Sequence, residues 1–215
     1  QLILGNYEKA ERLFKTCLEI DPDDAASMYE LSGLYLKLDD LESAIAYAKL
    51  AAETDPENIW YKKRLVELYK RNSDFDKSAI ILENLIERNP ENPEYYYDLA
   101  IILLFSRDYK KAIEIYNQLE NKIGITEDIS IQKQKIYLLK TDYSKAILEI
   151  ENLVEAYPEE SKYYAMLAEL YLSSNQDKKA IEAYNKVLEI DPENPYINIS
   201  LSDYYRKNNN PEKAY

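Results

Sequence analysis

The side chains that could act as acids, bases, nucleophiles or ligands are unevenly supplied in this chain. Carboxylates stand in adjacent pairs at Asp23 and Asp24, Asp39 and Asp40, Glu127 and Asp128, and Glu159 and Glu160, and two such groups held close can divide general acid and general base duties. Their usual partners are missing. Histidine does not occur and Cys17 is the one cysteine, so zinc ligation, imidazole proton transfer and an intramolecular disulfide all lack their groups. The three glycines, Gly5, Gly33 and Gly124, are too far apart to form a phosphate-cradling loop. All four carboxylate pairs fall at expected helix junctions, where negative charge caps the following helix and opposes its dipole. No catalytic, cofactor-binding or metal-binding residue is therefore expected. Cys17 falls at a position expected to be small, buried and inert, and the sequon Asn198-Ile199-Ser200 lies in an expected helix and carries no weight.

Composition names the elements that must position everything else. Hydrophobic residues make up 46% of the 215, enough for a sizeable core, and Ala, Leu, Ile, Glu and Lys dominate over a near absence of glycine. Such a mixture favours helix and offers little of the turn chemistry that β-hairpins need. The net charge of -13 repels a phosphate backbone, which argues against DNA, RNA and anionic membrane surfaces as partners. No apolar run approaches the ~18 residues of a membrane span, so direct membrane insertion is not expected and the chain reads as soluble. It begins at Gln1 rather than Met; the parent N-terminus is not visible, and the compartment stays open.

Helix breakers then set a period. Pro22, Pro56, Pro90, Pro158 and Pro192 are separated by 34, 34, 68 and 34 residues, and Gly124 occupies the vacant place. A first helix in each period carries Leu31, Leu65, Leu99, Lys133, Leu167 and Leu201, then four residues on Tyr35, Tyr69, Leu103, Tyr137, Tyr171 and Tyr205. An i, i+4 pair of this kind is one apolar helix face. Between the two stands a mostly small residue, such as Ser32, Ala100 or Ala168, with Val66 and Gln134 as exceptions. A turn follows at Asn6, Asp40, Asp74, Asp108, Asp142, Gln176 and Asn210, residues placed to cap a second helix. That helix carries Ala10, Ala44, Ser78, Ala112, Ala146, Ala180 and Ala214 where two helices must approach closely. Asn58, Asn92 and Asn194 are placed to cap the next first helix, with Pro93 and Pro195 at its opening position.

These columns resemble the tetratricopeptide repeat (TPR), whose pattern has the same period, Leu and Tyr four apart, Ala in the second helix and Pro near the end. The resemblance covers essentially the whole chain. It implies an all-α, right-handed superhelical solenoid of antiparallel helix pairs. In that frame residues 1–24 and 195–215 are partial repeats, and 25–58, 59–92, 93–126, 127–160 and 161–194 are full ones, the whole being a fragment of a longer protein. The repeat at 127–160 departs most, with Lys133 for Leu, Gln134 for the small residue and Gly124 for Pro, and a distorted helix or a bend is expected there.

The resemblance also implies a concave groove lined by the first helices. Positions facing away from the Leu-Tyr surface put Tyr29, Trp60, Lys63, Tyr97, Ile101, Leu104, Ile131, Lys135 and Leu138 there, with Leu36, Leu172, Tyr196 and Ile199. Many are large and apolar, as at an interaction surface. The implied function is a non-enzymatic scaffold that holds a protein or peptide partner in this groove. Two other readings stand beside it: a regulatory or substrate-presenting segment of a larger enzyme, and a structural element that self-associates through uncapped ends. Net charge is +1 over residues 59–92 against -5 over 25–58, which sets Lys62, Lys63, Arg64, Lys70 and Arg71 apart as a local basic cluster. The Lys and Asn clamp by which some members of the family grip a C-terminal carboxylate is absent, since Tyr29, Gly33 and Asp98 hold the matching places.

Overall fold

The computed structural model describes residues 2–207. Twelve helices run through these described residues: α1 (Leu2–Ile20), α2 (Ala25–Lys37), α3 (Leu41–Thr54), α4 (Ile59–Arg71), α5 (Phe75–Arg88), α6 (Pro93–Phe105), α7 (Tyr109–Ile123), α8 (Glu127–Leu139), α9 (Tyr143–Ala156), α10 (Ser161–Ser173), α11 (Asp177–Ile190) and α12 (Pro195–Lys207). No described residue is in a strand. Even-numbered helices are the first of each hairpin and odd-numbered ones the second. Connections as short as residues 38–40 and 140–142 return the chain antiparallel, and α2 packs on α3, α4 on α5, α8 on α9 and α10 on α11. The all-α fold of consecutive helix pairs is the one the repeat implies.

One backbone device makes every hairpin turn. Asp39, Ser73, Arg107, Thr141 and Asn175, spaced by the repeat, all have φ between 55° and 62°. Each is the left-handed residue that closes a helix, and the next N–H reaches back to a carbonyl five residues earlier: Asp40 to Tyr35 at 2.9 Å, Asp108 to Leu103 at 2.8 Å, Gln176 to Tyr171 at 2.8 Å. At Asp40, Asp108 and Asp142 the residue donating that bond also caps the next helix. Asp40 accepts from the Ser43 amide at 3.0 Å, Asp108 from Lys111 at 3.1 Å and Asp142 from Lys145 at 3.2 Å. Between hairpins, Asn58, Asn92 and Asn194 cap α4, α6 and α12 as expected. Asp74 and Gln176 make no side-chain cap bond. Asn6 is no turn either, because α1 runs straight through it; the expected turn at Asn210 and contact at Ala214 lie outside the described residues.

The fold divides into two compact units, Gln1–Ile115 and Tyr116–Tyr215, with the division inside α7. In the first, Ala44 and Ala112 are fully buried, as the close approach of helices requires, and Ala44, Ala48, Leu65, Leu68 and Tyr69 form a core cluster flanked by Leu36 and Ile81. Ser78 takes the alanine position without cost because its hydroxyl donates to the Val66 carbonyl at 3.1 Å. Cys17 is exposed, contrary to expectation. Its later counterparts Ala51, Leu85, Leu119, Leu153 and Val187 are all buried, but among the described residues no first helix precedes α1 to cover this position.

In the second unit, Ala146 and Ala180 are fully buried and α9, α10 and α11 share a continuous apolar cluster around Ile150, Leu167 and Tyr184. The departure at Lys133 does not distort α8, which is a continuous 13-residue helix. Lys133 is 4% exposed, and its ammonium donates to Glu120 Oε2 at 3.0 Å and lies 2.9 Å from Glu149 Oε2, off the line of a good hydrogen bond. Burial works against the lysine charge, but two carboxylates outweigh it and hold the Lys133 pKa above its ordinary value. Burial raises the Glu149 carboxyl against the pull of Lys133, with Glu120 adding to the rise. Gly124, with φ of 83°, supplies the turn before α8 that proline does not make here.

Candidate functional site

Seven of the expected groove residues lie in the first unit, on α2, α4 and α6. Caps at Asp24, Asn58 and Asn92 start these three helices in the same phase, so residues 34 apart stand side by side. Tyr29 is half-buried, its ring 5.1 Å from that of Tyr61 and its hydroxyl accepting from Arg64 at 3.0 Å. The Arg64 guanidinium lies over the Tyr29 ring at 4.5 Å and fills the space a Cβ on Gly33 would need, since that Cβ would meet it at 2.9 Å. Gly33 is therefore part of the face: it lets the arginine lie flat. Lys63 reaches Glu94 at 2.7 Å and stands 5.8 Å from the Trp60 ring centre and 5.7 Å from that of Tyr95.

Trp60 is 69% exposed and Ile101 40%. Ile101, Lys63, Lys70 and Asp98 line a cleft of about 160 Å³ between α4 and α6. Asp98 is half-buried and has no hydrogen-bond donor among the described residues; burial, reinforced by Glu94, holds its carboxyl above the usual carboxylate range despite Lys63 and Lys70. Tyr97 and Leu104 are half-buried on α6. A second cleft of about 400 Å³ joins α1, α2 and α4 around Phe14, Gly33, Leu36 and Arg64. Gly33 and Asp98 were legible only as departures from the carboxylate clamp, and Arg64 only as a member of the local basic cluster.

Of the six expected residues in the second unit, three lie on α8, Leu172 packs on the core from α10, and Tyr196 and Ile199 are exposed on α12. Lys135 is exposed, whereas Ile131 and Leu138 are half-buried and Leu138 packs against the core cluster. Three of the four carboxylate pairs have a member in a structural role, while Glu160 precedes α10 without a side-chain cap bond. Asp24 accepts from the Ala26 and Ser27 amides at 3.1 Å, Asp40 caps α3, and Glu127 pairs with Lys162 at 2.7 Å. Among the described residues no cluster of three or more potential ligands could hold a metal ion, and no helix is long and apolar enough to cross a membrane.

Known proteins share this fold at low sequence identity. A structure described as Naa15/Naa10 bound to HypK-THB matches with a TM-score of 0.70 and 19% identity over 98% of this chain, which spans 36% of that one. A repeat protein from Cytophaga hutchinsonii matches with a TM-score of 0.67 and 14% identity, covering 97% of this chain and 86% of its own. YrrB, described as a TPR protein with an unusual peptide-binding site, matches with a TM-score of 0.52 and 17% identity over 86% of this chain and 95% of its own. No curated protein matches in sequence. Family profiles described as tetratricopeptide repeat match residues 1–66, 64–124 and 161–194. With the repeated helix pairs, the shared turn and the buried alanines, these matches place the chain in the tetratricopeptide repeat family.

Proposed function

We propose that the chain is a non-catalytic interaction scaffold whose first unit receives a partner segment on the face shared by α2, α4 and α6. The observation that carries this reading is the cleft between α4 and α6, where Ile101, Lys63 and the half-buried Asp98 share the lining, with the exposed Trp60 one turn before Lys63 and 5.8 Å from its ammonium. Burying each apolar anchor under a partner contributes about 1.5 to 3 kcal/mol before the costs of association. An amide or basic group of the partner can take the place of solvent on the Asp98 carboxylate. Tyr29, Lys63, Tyr97 and Leu104 shape the same face, with Arg64 stacked on Tyr29 as a rigid border. In the second unit Ile131, Lys135 and Leu138 form a smaller surface on α8, with Leu138 committed to the core. Similarity to YrrB and to the complex with HypK-THB supports binding of a peptide or protein segment as the general activity.

The double variant Trp60→Ala with Ile101→Ser tests the site. Both side chains are exposed, so helical content and melting temperature should stay unchanged while capture of the partner, identified from cell extract by mass spectrometry, falls at least tenfold. Undiminished capture would move the site elsewhere.

A further inference from the structure

The opposite side of α4 carries a cleft of different chemistry. Leu65 and Tyr69 of α4 lie at the bottom of a space of about 400 Å³ whose walls come from α3 and α5. Its floor is apolar: Leu65, Tyr69 and Ala52 are covered by neighbours, and Ile81 packs against the same core. Ile80, on the α5 wall, is 64% exposed. The rim is basic in an otherwise acidic chain. Lys49, Lys62 and Lys77 face Glu53 as the one lining acid. Lys49 meets Glu53 at 3.5 Å with both side chains well exposed, and Lys77 pairs with Asp74 at 2.9 Å while lying over the Tyr69 ring at 5.2 Å. Lys62 makes no ion pair among the described residues.

The corresponding positions elsewhere lack this chemistry. In the second unit, 102 residues on, Lys49, Lys62 and Ile80 are replaced by Glu151, Tyr164 and Glu182. Glu151 there accepts the Tyr171 hydroxyl at 2.7 Å. The apolar floor with a three-lysine rim is thus a property of one place and not of the repeat.

We infer that the α3–α4–α5 cleft of the first unit is a second docking site, and that it takes an acidic peptide segment bearing a large aliphatic or aromatic side chain. The apolar side chain lies on Leu65 and Ile80, and flanking carboxylates reach the ammonium groups of Lys62 and Lys49. At physiological salt the screening length is about 8 Å, so the rim lysines, and not the distant negative charge of the chain, set the local potential. This site is on the other side of α4 from Trp60 and Ile101, and it stands or falls independently of the face proposed above.

Fluorescence anisotropy with a labelled pool of short peptides, acidic residues alternating with Leu, Ile, Phe and Trp, tests the inference against the same pool with lysine for each acid. The acidic pool should bind saturably and the basic pool should not. Ile80→Glu and Lys62→Glu, both at solvent-accessible positions, should each weaken binding about tenfold or more, while Trp60→Ala with Ile101→Ser leaves it unchanged. Absence of saturable binding, equal binding of the basic pool, or full affinity in Ile80→Glu would overturn it. Loss in the Trp60 and Ile101 variant alone would also overturn it, by placing the peptide on the opposite face.

Discussion

The cleft floor in the first unit and the ion cluster in the second occupy the same positions of the repeat, 68 residues apart. Ala52, Leu65 and Ile81 in the one correspond to Glu120, Lys133 and Glu149 in the other. The first helices that carry Leu65 and Lys133, α4 and α8, are both 13 residues long and both end in the same left-handed turn, at Ser73 and Thr141. Backbone geometry is therefore insensitive to which chemistry fills the space between a first helix and its two neighbours. What the position requires is internal consistency: all three residues apolar, or one cation with its carboxylates. A buried charge with no partner is the intolerable case.

The sharpest way to break the comparison is to remove one member of the charged set. Lys133→Ala leaves Glu149 buried beside Glu120 with no cation, and should cost about 3 to 5 kcal/mol, measured by urea denaturation. The triple change Glu120→Ala, Lys133→Leu, Glu149→Ile installs the first unit's floor and should be neutral or stabilising by up to ~4 kcal/mol. A triple variant as unstable as the single one would mean the two positions are not equivalent.

Overpacking probes what the units share. Leu in place of Ala44 or of Ala146, each fully buried, should cost a similar ~1 to 3 kcal/mol in both units; a cost confined to one would show that their helix pairs pack differently. A smaller effect of opposite sign is expected at the turns. Arg107, with φ of 62°, holds a conformation in which a side chain is strained, so Arg107→Gly should raise stability by up to ~1 kcal/mol.

The smallest effect is electrostatic. Asp98 has its carboxyl raised above 3.8 in the folded state, so the folded chain binds a proton more readily than the unfolded one. The contribution is present at low pH and lost as pH rises through the folded value. Asp98→Asn should therefore gain on the wild type as pH climbs from 3.8 towards neutrality, by less than ~1 kcal/mol because the group is half-exposed and screened. Stability curves that stay parallel across that range would remove the raised carboxyl from the account.

Much of the fold was readable because it rests on columns: a breaker every 34 residues, an alanine or serine at each close contact, Asn or Asp at most caps. The left-handed residues were not readable, since Asp39, Ser73, Arg107, Thr141 and Asn175 share a conformation and no side-chain type. Lys133 looked like a defect because its partners are remote in sequence, 13 residues back at Glu120 and 16 on at Glu149. For the site, periodicity found the face but could not rank its members. Trp60 and Ile101 are exposed while Leu36 and Leu138 are drawn into cores, a difference set by what packs above each residue. Cys17 was misjudged for the same reason.

The central claim is that a partner segment docks on the α2, α4 and α6 face of the first unit, and photo-crosslinking tests it most directly. A benzophenone side chain placed at position 101 should form covalent adducts with a discrete partner in cell extract, and one at the exposed Lys110 of α7, which lines neither proposed cleft, should not. Adducts from position 110 matching or exceeding those from 101 would contradict the account.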